Sequence, residues 1–190
     1  MKMRVKKLVI SSIVMLLVLV LSACQSMRSY TGPDLHCLIY DNENLPVHNV
    51  SIAINDKQQG ASDIRGHFAI ALKQGKTYTI RLSKEGYETI ENKITFDGPS
   101  SLFYVNMVSE KQLLDDAFKA LRQKKWAEAK KLLERAQAIN PSIGSSYLMA
   151  IYYFRTGQKE QSLNLLQSLL EESSENEYVV KLIGYISSTD

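Results

Sequence analysis

Three hydrophobic patterns follow one another along the chain. An apolar run from Leu8 to Leu21 comes first, broken only by Ser11 and Ser12. Between Leu35 and Val108 the apolar positions recur every second residue: Val50, Ile52 and Ile54 alternate with Ser51 and Ala53. Phe68 and Ile70 alternate with His67 and Ala69, and Tyr78, Ile80 and Leu82 alternate with Thr77, Thr79, Arg81 and Ser83. Leu102 to Val105 closes the set. A period of two predicts half-buried strands. The breakers Asn55-Asp56, Asp63 to Gly66, Gly75, Gly86 and Asp97-Gly98-Pro99 separate them, so an antiparallel sandwich is expected over residues 35–108. From Glu110 the period becomes about 3.6. Leu113, Leu114, Ala117, Phe118 and Leu121 mark one helix, and Trp126, Ala129, Leu132, Leu133, Ala136 and Ile139 a second. After Pro141 the cycle returns with Tyr147, Ala150, Ile151 and Phe154, then Leu163, Leu166, Leu169 and Leu170. A last apolar helix runs near Tyr178 to Ile186. Residues 109–190 thus predict two helical hairpins and a closing helix, the form of a short solenoid.

The leading run has Lys2, Arg4, Lys6 and Lys7 before it and small residues after it, which is the layout of a secretion signal over residues 1–23. It is short for a membrane span, which needs about 20 apolar residues, although an uncleaved anchor helix is the alternative. Leu21-Ser22-Ala23-Cys24 resembles the bacterial lipobox. That resemblance implies cleavage before Cys24, lipid on its thiol, and residues 24–34 as a polar tether from a membrane. Gln25 stands where Asp would favour inner-membrane retention in well-studied double-membraned bacteria, so the outer membrane, facing the periplasm, is the expected location. Several acyl chains together anchor stably where one does not.

The leader also distorts the charge. Its four basic residues carry no acidic partner, and the remaining 19 basic and 20 acidic residues sum to −1. A nucleic-acid partner, which calls for a concentrated basic face, is therefore not expected. With Cys24 taken by lipid, Cys37 stands alone, which rules out an intramolecular disulfide in the mature chain. Cys37 is expected to be a buried core thiol, the alternative being a bridge to another chain.

Within the β half, three stretches carry a second resemblance: Tyr40-Asp41, then Leu45-Pro46-Val47-His48-Asn49-Val50-Ser51-Ile52, then Gly60-Ala61-Ser62-Asp63-Ile64-Arg65-Gly66-His67-Phe68. With the later Gly86-Tyr87-Glu88, they resemble the carboxypeptidase-regulatory-like domain of transthyretin (prealbumin) type over residues 36–108. Val47 and His48 stand where that pattern usually has a glycine. Lys84 to Tyr87 is also similar to the PEGA surface-domain pattern. The resemblance implies an all-β sandwich that acts as an accessory or interaction module without catalytic apparatus. Tyr78, Tyr87 and Tyr104 either cap the core or form a sugar-stacking platform.

The helical half resembles the tetratricopeptide repeat, with Ala117, Trp126, Ala129, Ala136 and Pro141 at its small, aromatic, small, small and proline positions. In the second copy Ala150, Tyr153 and Gly157 fit, Ser162 replaces an alanine and Ser174 stands near the expected proline. Carrying that family's groove positions over gives Leu114, Phe118, Leu121 and Arg122, then Tyr147, Ile151, Phe154 and Arg155. Arg122 and Arg155 share one repeat position. Together they either grip a carboxylate or phosphate, or simply solvate two helix ends.

No catalytic constellation is apparent. His36, His48 and His67 lack metal spacing with cysteines or carboxylates, and no nucleophile elbow or phosphate loop occurs. No catalytic residue, metal or cofactor is expected. The expected function is a lipid-anchored adaptor for another envelope protein. The alternatives are a carbohydrate- or peptidoglycan-binding lipoprotein working through the β-sandwich, and an accessory subunit of an envelope hydrolase.

Overall fold

A computed structural model describes residues 34–98, 101–172 and 176–189. The leader, Cys24 and the tether through Pro33 lie outside the described residues, as do Pro99 and Ser174. Seven strands are described: β1 (Asp34–Asp41), β2 (Ser51–Ile54), β3 (Lys57–Ala61), β4 (His67–Ala71), β5 (Lys76–Ser83), β6 (Ile90–Phe96) and β7 (Leu102–Met107). They form two sheets, ordered β4-β1-β7 and β3-β2-β5-β6.

The alternating residues do what their period demands. Leu35, Cys37 and Ile39 of β1 point inward, as do Ile52 and Ile54 of β2, Ile80 and Leu82 of β5, Phe96 of β6 and Val105 and Met107 of β7. One pairing departs from the antiparallel expectation: β1 and β7 run parallel, with Cys37 opposite Phe103 and Ile39 opposite Val105. They are the two ends of the module, so no hairpin forces them to oppose. The intervening strands supply the long connection that a parallel pair needs. Two strands had no clear signature in the sequence. In β3, Lys57-Gln58-Gln59-Gly60-Ala61 is a polar edge with almost nothing to bury. In β6, Asn92 interrupts the apolar row of Ile90, Ile94 and Phe96. Charged and polar edges of this kind discourage pairing with other chains.

The Ser62-Asp63-x-x-Gly66-x-Phe68 motif is explained by the fold. The buried Ser62 hydroxyl donates to the Val47 carbonyl (2.8 Å) and accepts from the Val50 amide (3.0 Å), fastening the loop that enters β2. Asp63 Oδ1 accepts from the amides of Arg65 (2.8 Å) and His67 (2.9 Å), and these two bonds hold its carboxyl below the usual range. Gly66 adopts a φ of 71°, and its carbonyl accepts from the Ile39 amide at 2.9 Å. A Cβ there would collide with the Ile39 carbonyl oxygen.

Five helices follow: α1 (Glu110–Arg122), α2 (Trp126–Ile139), α3 (Ile143–Arg155), α4 (Lys159–Glu172) and α5 (Glu177–Ser187). The boundaries of α3 and α4 fall 33 residues after those of α1 and α2 at both ends. Ser109 and Ser142 cap α1 and α3 at equivalent places, each accepting from the amide three residues on. Lys124 (φ 59°) and Gly157 (φ 81°) make the same left-handed turn between the helices of each hairpin. α1 packs on α2 and α3 on α4, while α2 and α1 both touch α3. Small residues permit this closeness. Ala117, Ala129 and Ala136 are fully buried, and at the position equivalent to Ala129 the buried Ser162 hydroxyl donates to the Ala150 carbonyl at 2.8 Å. A serine therefore stands in for alanine there without leaving a polar group unpaired.

The β and α halves meet at the loop after β5. The Glu88 amide donates to the Val108 carbonyl and the Glu110 amide to the Gly86 carbonyl, both at 2.9 Å. Arg135 of α2 grips Glu88 with two parallel bonds, Nε to Oε1 at 2.8 Å and Nη2 to Oε2 at 2.7 Å.

Two outcomes test this account. Gly66→Ala lowers stability by about 3 kcal/mol, combining left-handed strain with a backbone clash, whereas Gly75→Ala costs about 1 kcal/mol because only the strain applies. Gly75 has a φ of 72° and open space around its Cα, and urea midpoints separate the two variants. A double-mutant cycle of Glu88→Ala and Arg135→Ala gives a coupling of about 1 kcal/mol that falls with added salt.

Candidate functional site

A groove of about 380 Å³ opens between α1 and α3. Phe118, Leu121, Trp126 and Ile151 line it with apolar surface, and Arg122, Lys124 and Arg155 supply three cations. The 33-residue register explains why the two arginines converge. Each is the last residue of its helix, and α1 and α3 lie side by side. Leu121 is buried beneath the groove, while Phe118 is 49% exposed. The Arg122 guanidinium stands 6.0 Å from the centre of the Phe118 ring. That contact orients the cation at little desolvation cost. Among the described residues, neither arginine nor Lys124 is ion-paired, in contrast to Lys111 and Lys119 of α1, Lys125 before α2 and Lys130 in α2.

Of the eight groove residues expected from the sequence, Phe118, Leu121, Arg122, Ile151 and Arg155 come together here. The other three do not line it. Leu114 packs against the core shared by α1, α2 and α3. Tyr147 and Phe154 pack against the cluster containing Val179 and Ile186 of α5, with Phe154 edge-on to Tyr185 at 5.8 Å. The last helix, α5, covers that part of α3. Trp126 and Lys124 were missed as lining residues. Trp126 looked like a packing position alone, and nothing in the sequence marks Lys124 as the left-handed residue that turns toward the groove.

The tyrosines of the β half do not form one platform. Tyr78 and Tyr87 pack against the sandwich core. Tyr104, half-exposed on β7 in the other sheet from Tyr78, stacks on Tyr40 at 5.7 Å. Cys37 is buried, and that burial pushes its thiol up to about 11, which makes it a poor nucleophile. His48 is exposed, whereas His36 and His67 adjoin one another across β1 and β4. Among the described residues no group of three or more His, Cys, Asp or Glu is placed to hold a metal, and no helix is long and apolar enough to cross a membrane.

No curated protein matches the sequence. A family model, the CarboxypepD_reg-like domain, matches residues 38–118, from within β1 to Phe118 of α1. The match runs past the last strand into the first helix, the segment that the Glu110–Gly86 hydrogen bond ties to the sheets. Residues 38–118, most of the two-sheet half with the start of α1, are thus similar to the CarboxypepD_reg-like domain.

Proposed function

We propose that this chain is a lipid-anchored adaptor of the bacterial envelope, whose helical groove holds a segment of another envelope protein. The observation that carries this reading is the groove itself: an apolar floor with three unpaired cations and no carboxylate in its lining. Such a surface suits a peptide that offers an apolar side chain beside a carboxylate, since a guanidinium meets a carboxylate through two directed hydrogen bonds. The 33-residue spacing of every hairpin boundary, the buried small residues and Pro141 before α3 support reading the helices as tetratricopeptide-type repeats with α5 as their cap. The CarboxypepD_reg-like domain then serves as a spacer or second docking module between anchor and groove.

The anchoring part rests on the basic start, the apolar run and Leu21-Ser22-Ala23-Cys24. Tethering to a surface confines the groove and a membrane-bound partner to a thin layer. The raised effective concentration strengthens an individually weak contact. A second reading, carbohydrate or peptidoglycan binding, is favoured by the stacked Tyr40 and Tyr104 rings, the latter 50% exposed. The role of accessory subunit to an envelope hydrolase has no comparable feature behind it.

A crosslinked pull-down from whole envelopes tests the groove. The wild type captures a protein that Arg122→Glu/Arg155→Glu loses, with binding weakened about tenfold or more, as reversing rim charges against an acidic partner requires. Both side chains are exposed, so the variant keeps the wild-type circular dichroism. Identical captures from both proteins would refute the groove, and cell-wall fragments alone would move the function to Tyr40 and Tyr104. Separately, the wild type incorporates a labelled fatty acid and Cys24→Ser does not; no incorporation by the wild type would refute lipid anchoring.

A further inference from the structure

An acidic corner of the helical half is the chemical complement of its cationic groove. Glu171 and Glu172 end α4, and Glu177 opens α5. With Glu175 between them, four glutamates fall within seven residues, and no lysine or arginine occurs between Lys159 and Lys181. Lys181 pairs with Glu177, so the two glutamates of α4 carry the unbalanced charge. Tyr178, beside Glu177, is 73% exposed, more than any other aromatic residue described. The glutamates of α4 also work against their own helix. A helix C-terminus carries partial negative charge, so basic residues in the last turn suit it and acidic ones oppose it. α1 and α3 follow that rule, ending in Arg122 and Arg155, whereas the last turn of α4 holds two glutamates and no basic residue. An arrangement that costs the helix stability points to a positive surface elsewhere as the partner of these glutamates.

The chain's own groove is out of reach of this corner. The groove lies where α1 and α3 end, at Arg122 and Arg155. After the turn at Gly157, α4 packs back along α3. Its 14 residues, rising 1.5 Å each, put Glu171 and Glu172 about 20 Å from the groove, beyond the reach of any side chain. The opposite charges therefore meet only between chains.

We propose that the α4–α5 corner of one copy docks in the groove of a second, so that copies associate head to tail. This contact rests on the same reading of the groove, a receptor for acidic segments, and gives it an occupant: the neighbouring copy. Charge selects that occupant. The corner brings glutamates to Arg122, Lys124 and Arg155, and the Tyr178 ring to the apolar floor at Phe118 and Ile151. A carboxylate beside an apolar side chain suits such a lining, and a guanidinium meets the carboxylate through two directed bonds. Groove and corner are different surfaces, so a docked pair leaves one of each free and the contact propagates to further copies. Anchoring in one membrane layer raises the effective concentration of copies for one another. An envelope protein with a better-fitting acidic segment displaces the neighbour, which makes self-association the state of the adaptor without its partner.

The test is sedimentation of the full chain in a non-ionic detergent, comparing the wild type, Glu171→Lys/Glu172→Lys, Arg122→Glu/Arg155→Glu and an equimolar mixture of the two variants. The wild type assembles with rising concentration at about 50 mM salt, and about 500 mM salt disperses it. Each variant alone associates at least about tenfold more weakly. The mixture regains association, because it offers an intact groove to an intact corner. Lysine at the end of α4 suits the helix, so Glu171→Lys/Glu172→Lys keeps or raises the thermal midpoint, and its loss of association is not a loss of fold. A monomeric wild type at low salt, association unchanged in Glu171→Lys/Glu172→Lys, or a mixture that stays monomeric would each overturn the proposal. The envelope pull-down separates this contact from the adaptor reading: Glu171→Lys/Glu172→Lys keeps its groove and captures the same protein as the wild type, while the adaptor fails only on the captures of Arg122→Glu/Arg155→Glu.

Discussion

Two helical hairpins have more apolar surface than they can bury between themselves, and this shortage shapes the helical half. Here the two ends are closed by different means. At the far end α5 lays Val179 and Ile186 over Ala150, Leu166 and Leu169, and draws in Tyr147 and Phe154. At the near end hydrogen bonds from the Glu88 and Glu110 amides and the Arg135–Glu88 pair fasten α1 and α2 to the loop after β5. That pair fixes direction, because two parallel bonds from a guanidinium tolerate little rotation. The groove exists only while α1 and α3 keep their spacing. Its geometry therefore depends on this joint, on the alanines between the helices, and on α5.

The parts legible in the sequence were those decided by period and by local turn chemistry. The alternation in Val50–Ile54 and Tyr78–Leu82 identified their strands. The 33-residue recurrence of Arg122 and Arg155 placed both at equivalent helix ends, where the groove gathers them. Asp63 and Gly66 act in the turn as their residue types imply. The illegible parts share a cause: they depend on which segments become neighbours after folding. β3 has no buried face to leave a pattern, and a parallel partner for β1 cannot be read from either strand alone. Tyr147 and Phe154 occupy groove-like positions on α3, yet α5 reaches them first. His36 and His67 are 31 positions apart, a spacing that means nothing until the β1–β4 register makes them diagonal neighbours.

The Gly86-Tyr87-Glu88 stretch illustrates how a motif can serve two halves of a chain at once. Within the β module, Gly86 makes the turn with φ 77° and Tyr87 packs against the core, while Lys84 lies 5.1 Å from the centre of its ring. Beyond the module, the Gly86 carbonyl receives the first amide of α1 and the Glu88 carboxylate receives Arg135. A loop belonging to the sandwich is thus also the seat of the helices. This accounts physically for a domain match that runs past the last strand and ends inside α1.

Charge is distributed unevenly over the helical half. Residues 24–190 are close to neutral, so the three cations at the groove are a local arrangement rather than a share of a basic surface. Elsewhere on the helices lysines stand beside carboxylates three or four residues away, as in Lys111–Asp115, Lys119–Asp116 and Lys130–Glu134. Such exposed pairs contribute little stability, and their main effect is to quiet the field of the surrounding surface. Arg122, Lys124 and Arg155, none of them ion-paired among the described residues, make a positive, apolar-floored cleft. On the reading proposed above, such a contrast would act through the rate and register of encounter with an acidic segment more than through total affinity.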